Sequence, residues 1–267
     1  MTDGEPANRR PTEWNASAYH VLSEPQLAWG LRVLERARLA NGERVLDAGC
    51  GSGRVTAAIA SRLERGFVVG CDLSENMARR AVESLGGHPS SVVVCADLSM
   101  LPFRGVFDLI FSTATFHWIR DHDRLFAGLR AALAAGGRLE AQCGGGPNLA
   151  SIHARADALA ATRPFRAYFT SWSEPWLFAL PQETTIRLER AGFTAIECWL
   201  EHAPTTFSDG ERFGAFIESV VMRPYLARLP EPKFRREFLD AIIALAARDD
   251  PAFTLDYWRL NISAATM

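Results

Sequence analysis

The chain has 267 residues, 22% of them charged, a formal net charge of −2 and a pI near 6.3. This balance argues against a nucleic-acid partner, because binding to phosphates requires a basic surface. We expect no membrane span and no signal peptide, since long apolar segments are missing and residues 1–11 are polar. The five cysteines form no C-x-x-C pair, so we expect reduced thiols, no metal site and a cytoplasmic protein.

Apolar runs of strand length alternate with helical patterns through the first half of the chain. The predicted strands are residues 44–47, 67–71, 92–97, 107–112 and 138–143. The predicted helices are residues 26–40, 54–65, 74–85 and 121–133. Ser74 is the expected N-cap of the third helix, and Gly136-Gly137 is expected to end the fourth. This alternation is typical of an α/β fold with a parallel, doubly wound sheet.

Two mostly helical segments interrupt this alternation in the second half of the chain. The predicted organisation is an N-terminal arm (1–20), a core (21–147), a helical insert (148–180), core (181–207), a second helical insert (208–250) and a final core strand (251–267). We expect both inserts to pack together as a lid over the carboxyl ends of the strands. Trp14 and Tyr19 of the arm are expected to close the other side.

The stretch Val45–Gly53, with the sequence VLDAGCGSG, places three glycines at alternate positions between the first predicted strand and its helix. Glycines tolerate positive φ angles and let a ligand approach the backbone closely. The free N–H groups at the start of a helix favour an anion. The dinucleotide fingerprint G-x-G-x-x-G requires a further glycine where this chain has Arg54. This departure argues against a NAD-binding oxidoreductase.

Aspartates occur at or just after the ends of three consecutive predicted strands, at Asp47, Asp72 and Asp97. Ligands of open α/β sheets bind beyond these carboxyl ends. A carboxylate after the second strand can accept hydrogen bonds from ribose hydroxyls, and one after the third can accept from an adenine amino group. A single aspartate in such a position is more often a turn or capping residue. Asp47 therefore has two interpretations, a brace for the loop or a ligand for an ammonium group.

Several segments resemble successive motifs of the class I S-adenosylmethionine (SAM)-dependent methyltransferases. These segments are residues 45–53, 71–77, 95–98, 101–103 and 107–112. The run Ser112–Ile119 (STATFHWI), with Asp121-His122, is similar to the branch that contains the trans-aconitate methyltransferases, as is Tyr257–Ile262 (YWRLNI). The resemblance implies a Rossmann-like sheet of about seven strands, whose last strand is antiparallel and inserted between strands five and six.

The same resemblance implies SAM as the cofactor and no metal. The residues that it assigns to cofactor binding are Asp47, Gly49, Cys50, Gly51, Gly53, Asp72, Leu73, Asp97, Leu98 and Thr113. His117 follows the fourth strand, where the methyl group should point, and is the candidate catalytic residue. It is either a general base or, as a neighbour of Trp118, part of the pocket wall.

The predicted function is in-line methyl transfer to oxygen, nitrogen or carbon of a small molecule, by a monomer or homodimer. One alternative is a member that binds SAM without transferring its methyl group, such as a cyclase or a regulatory protein. Another is a methyltransferase of nucleic acid or protein. The acidic pI disfavours the latter, as does the sequence Ser112–Thr115 in place of an Asn-Pro-Pro-Tyr-type motif.

Overall fold

The computed structural model describes residues 24–267, so the predicted arm with Trp14 and Tyr19 lies outside the described residues. The strands are β1 (Arg44–Ala48), β2 (Phe67–Asp72), β3 (Ser91–Cys95), β4 (Phe107–Thr113), β5 (Leu133–Gly144), β6 (Thr194–His202), β7 (Thr205–Thr206), β8 (Thr254–Leu255) and β9 (Trp258–Ala265). The α-helices are α1 (Glu24–Arg36), α2 (Arg54–Ala60), α3 (Glu75–Leu85), α4 (His122–Ala132), α5 (Ala150–Ala160), α6 (Pro181–Arg190), α7 (Gly210–Phe216), α8 (Arg223–Leu226) and α9 (Pro232–Ala246). Short 3-10 turns cover Leu98–Met100, Phe116–Trp118 and Phe165–Tyr168, and a π-helical turn covers Ile217–Val221.

Seven strands form one sheet in the order β3–β2–β1–β4–β5–β9–β6. The pairings among β1 to β5 are parallel, whereas β9 runs antiparallel to both of its neighbours, β5 and β6. The predicted doubly wound sheet, with its last strand antiparallel, is confirmed. Strand order reverses between β1 and β4, and the carboxyl ends at such a switch point are where open α/β sheets bind ligands.

Apolar layers cover both faces of the sheet. Val45 of β1 packs in the layer beside α1 and α2, and Leu46 packs in the opposite layer with α4, because successive side chains of a strand point to opposite faces. The hydroxyl of Ser74 accepts a hydrogen bond from the Met77 N–H at 3.3 Å, which confirms the predicted N-cap of α3. These layers hold β1, β2 and β4 in place beneath the glycine turn.

The two helical inserts share a third apolar cluster, which we call the lid cluster. Its members include Ile152, Ala156, Trp176, Phe213, Tyr225, Phe238 and Ile242. Trp29 of α1 also belongs to it. The Leu177 N–H donates to the His117 carbonyl at 2.8 Å, so the first insert is attached to the segment that follows β4. Within residues 24–267, no helix combines the length and apolar character that crossing a membrane requires.

The glycine pair Gly136-Gly137 does not end a helix, so that prediction was wrong. Helix α4 ends at Ala132, and β5 begins at once. Leu133 pairs with Phe107 and Arg138 with Leu109, so that residues 134–137 bulge out opposite a single residue of β4. The φ angle of Gly136 is 70°, a value that glycine adopts at little cost. The glycines therefore permit a bulge within the strand.

Candidate active site

The glycine turn connects β1 to α2 and requires glycine for two separate reasons. Gly49, Gly51 and Gly53 have φ angles of 84°, 53° and 81°, which disfavour any residue with a Cβ. In addition, a Cβ on Gly49 would lie 2.1 Å from Thr115 Oγ1, and one on Gly53 would lie 2.8 Å from the Cα of Ala81. A Cβ on Gly51 would meet nothing within 4 Å. The turn is thus packed at both ends and open in the middle.

Asp72, at the end of β2, holds the open middle of the turn. Its Oδ2 accepts the Gly51 N–H at 2.9 Å, and its Oδ1 accepts the Ser74 N–H at 2.9 Å. The backbone of β2 contributes as well, because the Cys71 carbonyl accepts from the N–H groups of Gly49 and Cys50 at 2.7 and 3.0 Å. The hydrogen bonds from the Gly51 and Ser74 N–H groups fix the orientation of the Asp72 carboxylate. The residue is half-buried.

Asp47 lies beneath the turn, and only 2% of its surface is exposed. Its Oδ2 accepts a hydrogen bond from the Thr56 hydroxyl at 2.6 Å, which ties the end of β1 to α2. Burial raises the pKa of Asp47 to about 7, the Thr56 hydrogen bond partly opposes this rise, and the negative charge of Asp72 adds to it. The side chain therefore braces the turn, in the geometry expected for the first of its two interpretations.

The other predicted cofactor residues lie along the same edge of the sheet. Asp97 follows β3, and its Oδ1 accepts the Ser99 N–H at 2.8 Å, which caps the turn that begins at the buried Leu98. Leu73 follows β2 and is 47% exposed. The Cys50 side chain is buried against Gly70, and Thr113 ends β4 beside Gly30 of α1. Their order along the edge follows the strand order of the sheet.

His117 follows the carboxyl end of β4 and lies between β5 and the first helical insert. Its Nδ1 accepts a hydrogen bond from the Gly144 N–H at 3.3 Å, and its ring lies 5.2 Å from the ring of Trp118 and 5.8 Å from that of Phe178. Burial, followed by the charge of Arg259 and by two nearby histidines, holds the pKa of His117 well below its usual range. The imidazole is therefore neutral at physiological pH.

A second histidine, His153 of α5, extends this group of rings into the first helical insert. Its ring stacks on Trp176 at 4.3 Å with an interplanar angle of 14°, and it lies parallel to Phe178 at 5.8 Å. Burial lowers the pKa of His153 to about 4, although Asp157 and Asp256 oppose this shift. His117, Phe178, His153 and Trp176 therefore form a continuous wall of uncharged rings, which we call the ring wall.

Arg259, near the start of β9, lies close to the candidate site, and no motif of the sequence assigns it a role. It is 2% exposed; its guanidinium carbon lies 4.5 Å from the ring centroid of Trp29, and its Nε donates to Gln142 Oε1 at 3.4 Å. In the antiparallel pairing of β5 with β9, Arg259 lies opposite Gly144, whose N–H donates to His117 Nδ1. Charged residues are almost never fully buried unless they are paired. An arginine in a strand that the resemblance inserts between two others could therefore have been singled out from the sequence.

Proteins with similar sequences, and solved structures with a similar fold, include methyltransferases. Residues 45–137 match a family model described as a methyltransferase domain. A malonyl-[acyl-carrier protein] O-methyltransferase of Methylovorus sp. is 30% identical over 75% of this chain and 68% of its own length. A trans-aconitate 2-methyltransferase of Variovorax paradoxus is 28% identical over 82% of this chain and 83% of its own. A solved phosphoethanolamine N-methyltransferase 2 of Haemonchus contortus, in complex with S-adenosyl-L-methionine, superimposes with a TM-score of 0.62 at 20% identity, covering 94% of this chain and 57% of that one.

Proposed function

This chain belongs to the class I SAM-dependent methyltransferases, and we propose that it methylates a carboxylate oxygen of a small-molecule acid. The observation that carries the proposal is Arg259, a buried cation whose charge acts on His117. A buried charge favours a ligand of opposite charge. The names of the relatives support the same class of acceptor, since trans-aconitate is a tricarboxylate and a malonyl group ends in a carboxylate.

The residues at the glycine turn fit the cofactor of this family. Asp72 presents a half-buried carboxylate whose Oδ2 accepts the Gly51 N–H and whose Oδ1 accepts the Ser74 N–H, and a carboxylate at the end of β2 is the type of acceptor that ribose hydroxyls need. The space beside Gly51 is open to a ligand. Asp97 and the N–H of Leu98 are the proposed contacts of the adenine. The proposed cofactor site further includes Asp47, Gly49, Cys50, Gly53, Leu73 and Thr113.

The cofactor and the protein make different contributions to the proposed reaction. When bound, SAM supplies an electrophilic methyl group on a sulfonium, which an ionised carboxylate accepts without loss of a proton. The protein orients the two reactants and excludes water, and orientation alone accounts for about 7–11 kcal/mol of barrier in well-aligned reactions. The ring wall carries no charge that would compete for the acid. Arg259 attracts the carboxylate, and the lid encloses it.

A product assay tests the proposal. The protein is incubated with SAM labelled in the methyl group and with trans-aconitate, fumarate or a malonyl thioester, and fumaramide is the matched neutral control. We expect label in a methyl ester that base hydrolyses, from at least one acid and not from the diamide. Asp72→Ala, assayed at a SAM concentration near the dissociation constant of the parent chain, serves as the control with weakened cofactor binding.

Each alternative predicts a different product. Label in protein or nucleic acid, or on nitrogen or carbon of a small molecule, would contradict a carboxylate acceptor. Binding of SAM with no transfer to any acceptor would instead indicate a non-methylating member of the family. Calorimetry with SAM, run in parallel, separates that result from simple failure to bind the cofactor.

A further inference from the structure

His117 is held by one hydrogen bond to its backbone and another to its ring. The Leu177 N–H of the lid donates to its backbone carbonyl at 2.8 Å. The Gly144 N–H at the end of β5 donates to its Nδ1 at 3.3 Å. The rings of Trp118 and Phe178 lie beside it. The imidazole therefore cannot exchange its two nitrogens without loss of the hydrogen bond to the strand.

The bond from Gly144 determines which nitrogen carries the proton. A backbone N–H needs a lone pair as its acceptor, so Nδ1 is unprotonated, and the single proton of the neutral ring is on Nε2. The charged and titratable groups that act on this ring are Arg259, His122 and His153. None of them is a carboxylate, so none favours a second ring proton.

The Nε2–H group is available to a ligand. Among residues 24–267 the only hydrogen bond of the His117 ring is the one at Nδ1, and the residue, just after the carboxyl end of β4, is only half-buried. We propose that His117 donates its Nε2–H to an oxygen of the methyl acceptor and takes no proton from it. This inference rests on the proposed function for the identity of that oxygen.

The same geometry removes the two routes by which His117 would act as a base. Nε2 already carries a proton, and protonation of Nδ1 would break the bond from Gly144 and leave a buried N–H without a partner. A donor at this position selects acceptors that present a lone pair and rejects protonated amines. Together with the charge of Arg259, it selects carboxylates over alcohols as well, since only the former combine a lone pair with a negative charge.

Nitrogen NMR tests the tautomer without any methyl transfer. The protein is labelled with ¹⁵N-histidine and saturated with S-adenosylhomocysteine, and the His117 ring is assigned among the six histidines by its loss in His117→Gln. We expect protonated Nε2 and unprotonated Nδ1 at pH 7, with the pKa of His117 well below its usual range. A ring protonated at Nδ1, or one that titrates between pH 6 and 7, would overturn the inference whatever the product assay gives.

Kinetics with the acid that the product assay identifies tests the role. Glutamine offers an acceptor for Gly144 and a donor near the position of Nε2, but it cannot act as a base. We therefore expect His117→Gln to keep kcat and KM within about tenfold of the parent values, whereas His117→Ala raises KM about 10- to 100-fold. Neither variant should add or remove a limb of the pH profile.

The matched control is His88→Gln, at a histidine whose Nδ1 accepts from the nearby Ser90 N–H. The His88 variant should leave kcat and KM unchanged. A general base predicts instead that kcat falls about 10²- to 10⁴-fold in both His117 variants, with loss of an acidic limb. That result would overturn the donor role, while a methyl ester in the product assay would still support the proposed function. Absence of any methyl ester, with the NMR result as expected, would overturn the proposed function alone.

Discussion

The cofactor half and the acceptor half of the site are built in different ways. The cofactor half comes from residues 45–98 together with Thr113, and its hydrogen bonds mainly join backbone N–H groups to Asp72, Asp97 and the Cys71 carbonyl. The acceptor half draws on Trp29 and on four much later parts of the chain, and it consists of side chains packed on one another. The first half is local and polar, whereas the second is distributed and aromatic.

This difference has a functional meaning. Backbone groups fixed by two neighbouring strands change little when surface residues change, so the cofactor half suits a ligand that all members of a family share. Side chains from distant elements can be replaced one at a time, so the acceptor half suits a ligand that varies. We therefore expect substitutions in the cofactor half to affect folding or SAM affinity, and substitutions in the acceptor half to affect acceptor KM.

The largest effect should come from Gly49→Ala. The new methyl group would lie 2.1 Å from Thr115 Oγ1 at a φ angle of 84°. Overpacking and left-handed backbone together cost about 2–5 kcal/mol, so unfolding in urea should show a loss of this size along with weaker binding of S-adenosylhomocysteine.

Gly51→Ala is the matched control in the same turn. Its φ angle is 53°, and its methyl group would meet nothing within 4 Å of the protein. We expect a loss of only about 1–2 kcal/mol, from the backbone alone. Equal destabilisation in both variants would show that close packing against Thr115 does not explain the need for Gly49, and the contrast between a packed and an open part of the turn would be wrong.

Asp72→Ala should have the next largest effect, on affinity more than on stability. It removes a carboxylate that holds the Gly51 and Ser74 N–H groups and that we assign to the ribose. Hydrogen bonds to a charged group contribute about 1.5–3 kcal/mol each, so calorimetry should show SAM bound at least about tenfold more weakly. Asp108→Asn, at the far end of β4 and paired with Arg44, should bind SAM as the parent chain does.

The two halves also differ in how far the sequence alone predicted them. The alternation of strands and helices, the cap at Ser74 and the positive φ angles of the turn follow from local patterns, because each depends on residues close in the chain. The bulge at Gly136 could not be distinguished from a helix end, since glycine serves both structures. The link from Gly144 to His117 joins residues 27 positions apart, and no periodicity encodes such a pair.

Asp47→Asn should change affinity least, and it separates the two interpretations of Asp47. Asparagine keeps an oxygen that accepts from the Thr56 hydroxyl, so a brace predicts SAM affinity within about threefold of the parent value. If the carboxylate instead binds the ammonium group of the cofactor, loss of its charge should weaken SAM at least about tenfold. Calorimetry at pH 8, where the parent carboxylate is ionised, distinguishes these outcomes.

The same variant has a signature in stability. The pKa of Asp47 is about 7 in the folded chain, against about 3.9 when unfolded, so between these values the folded state binds more protons than the unfolded state. Stability from this group is full below about pH 4 and is lost as the pH rises through 7. In urea unfolding from pH 4.5 to 8, the parent should lose stability relative to Asp47→Asn as the pH rises. If the stabilities of the parent and of Asp47→Asn instead change in parallel with pH, Asp47 is ionised throughout this range. A charged Asp47 would favour the ammonium interpretation over the brace.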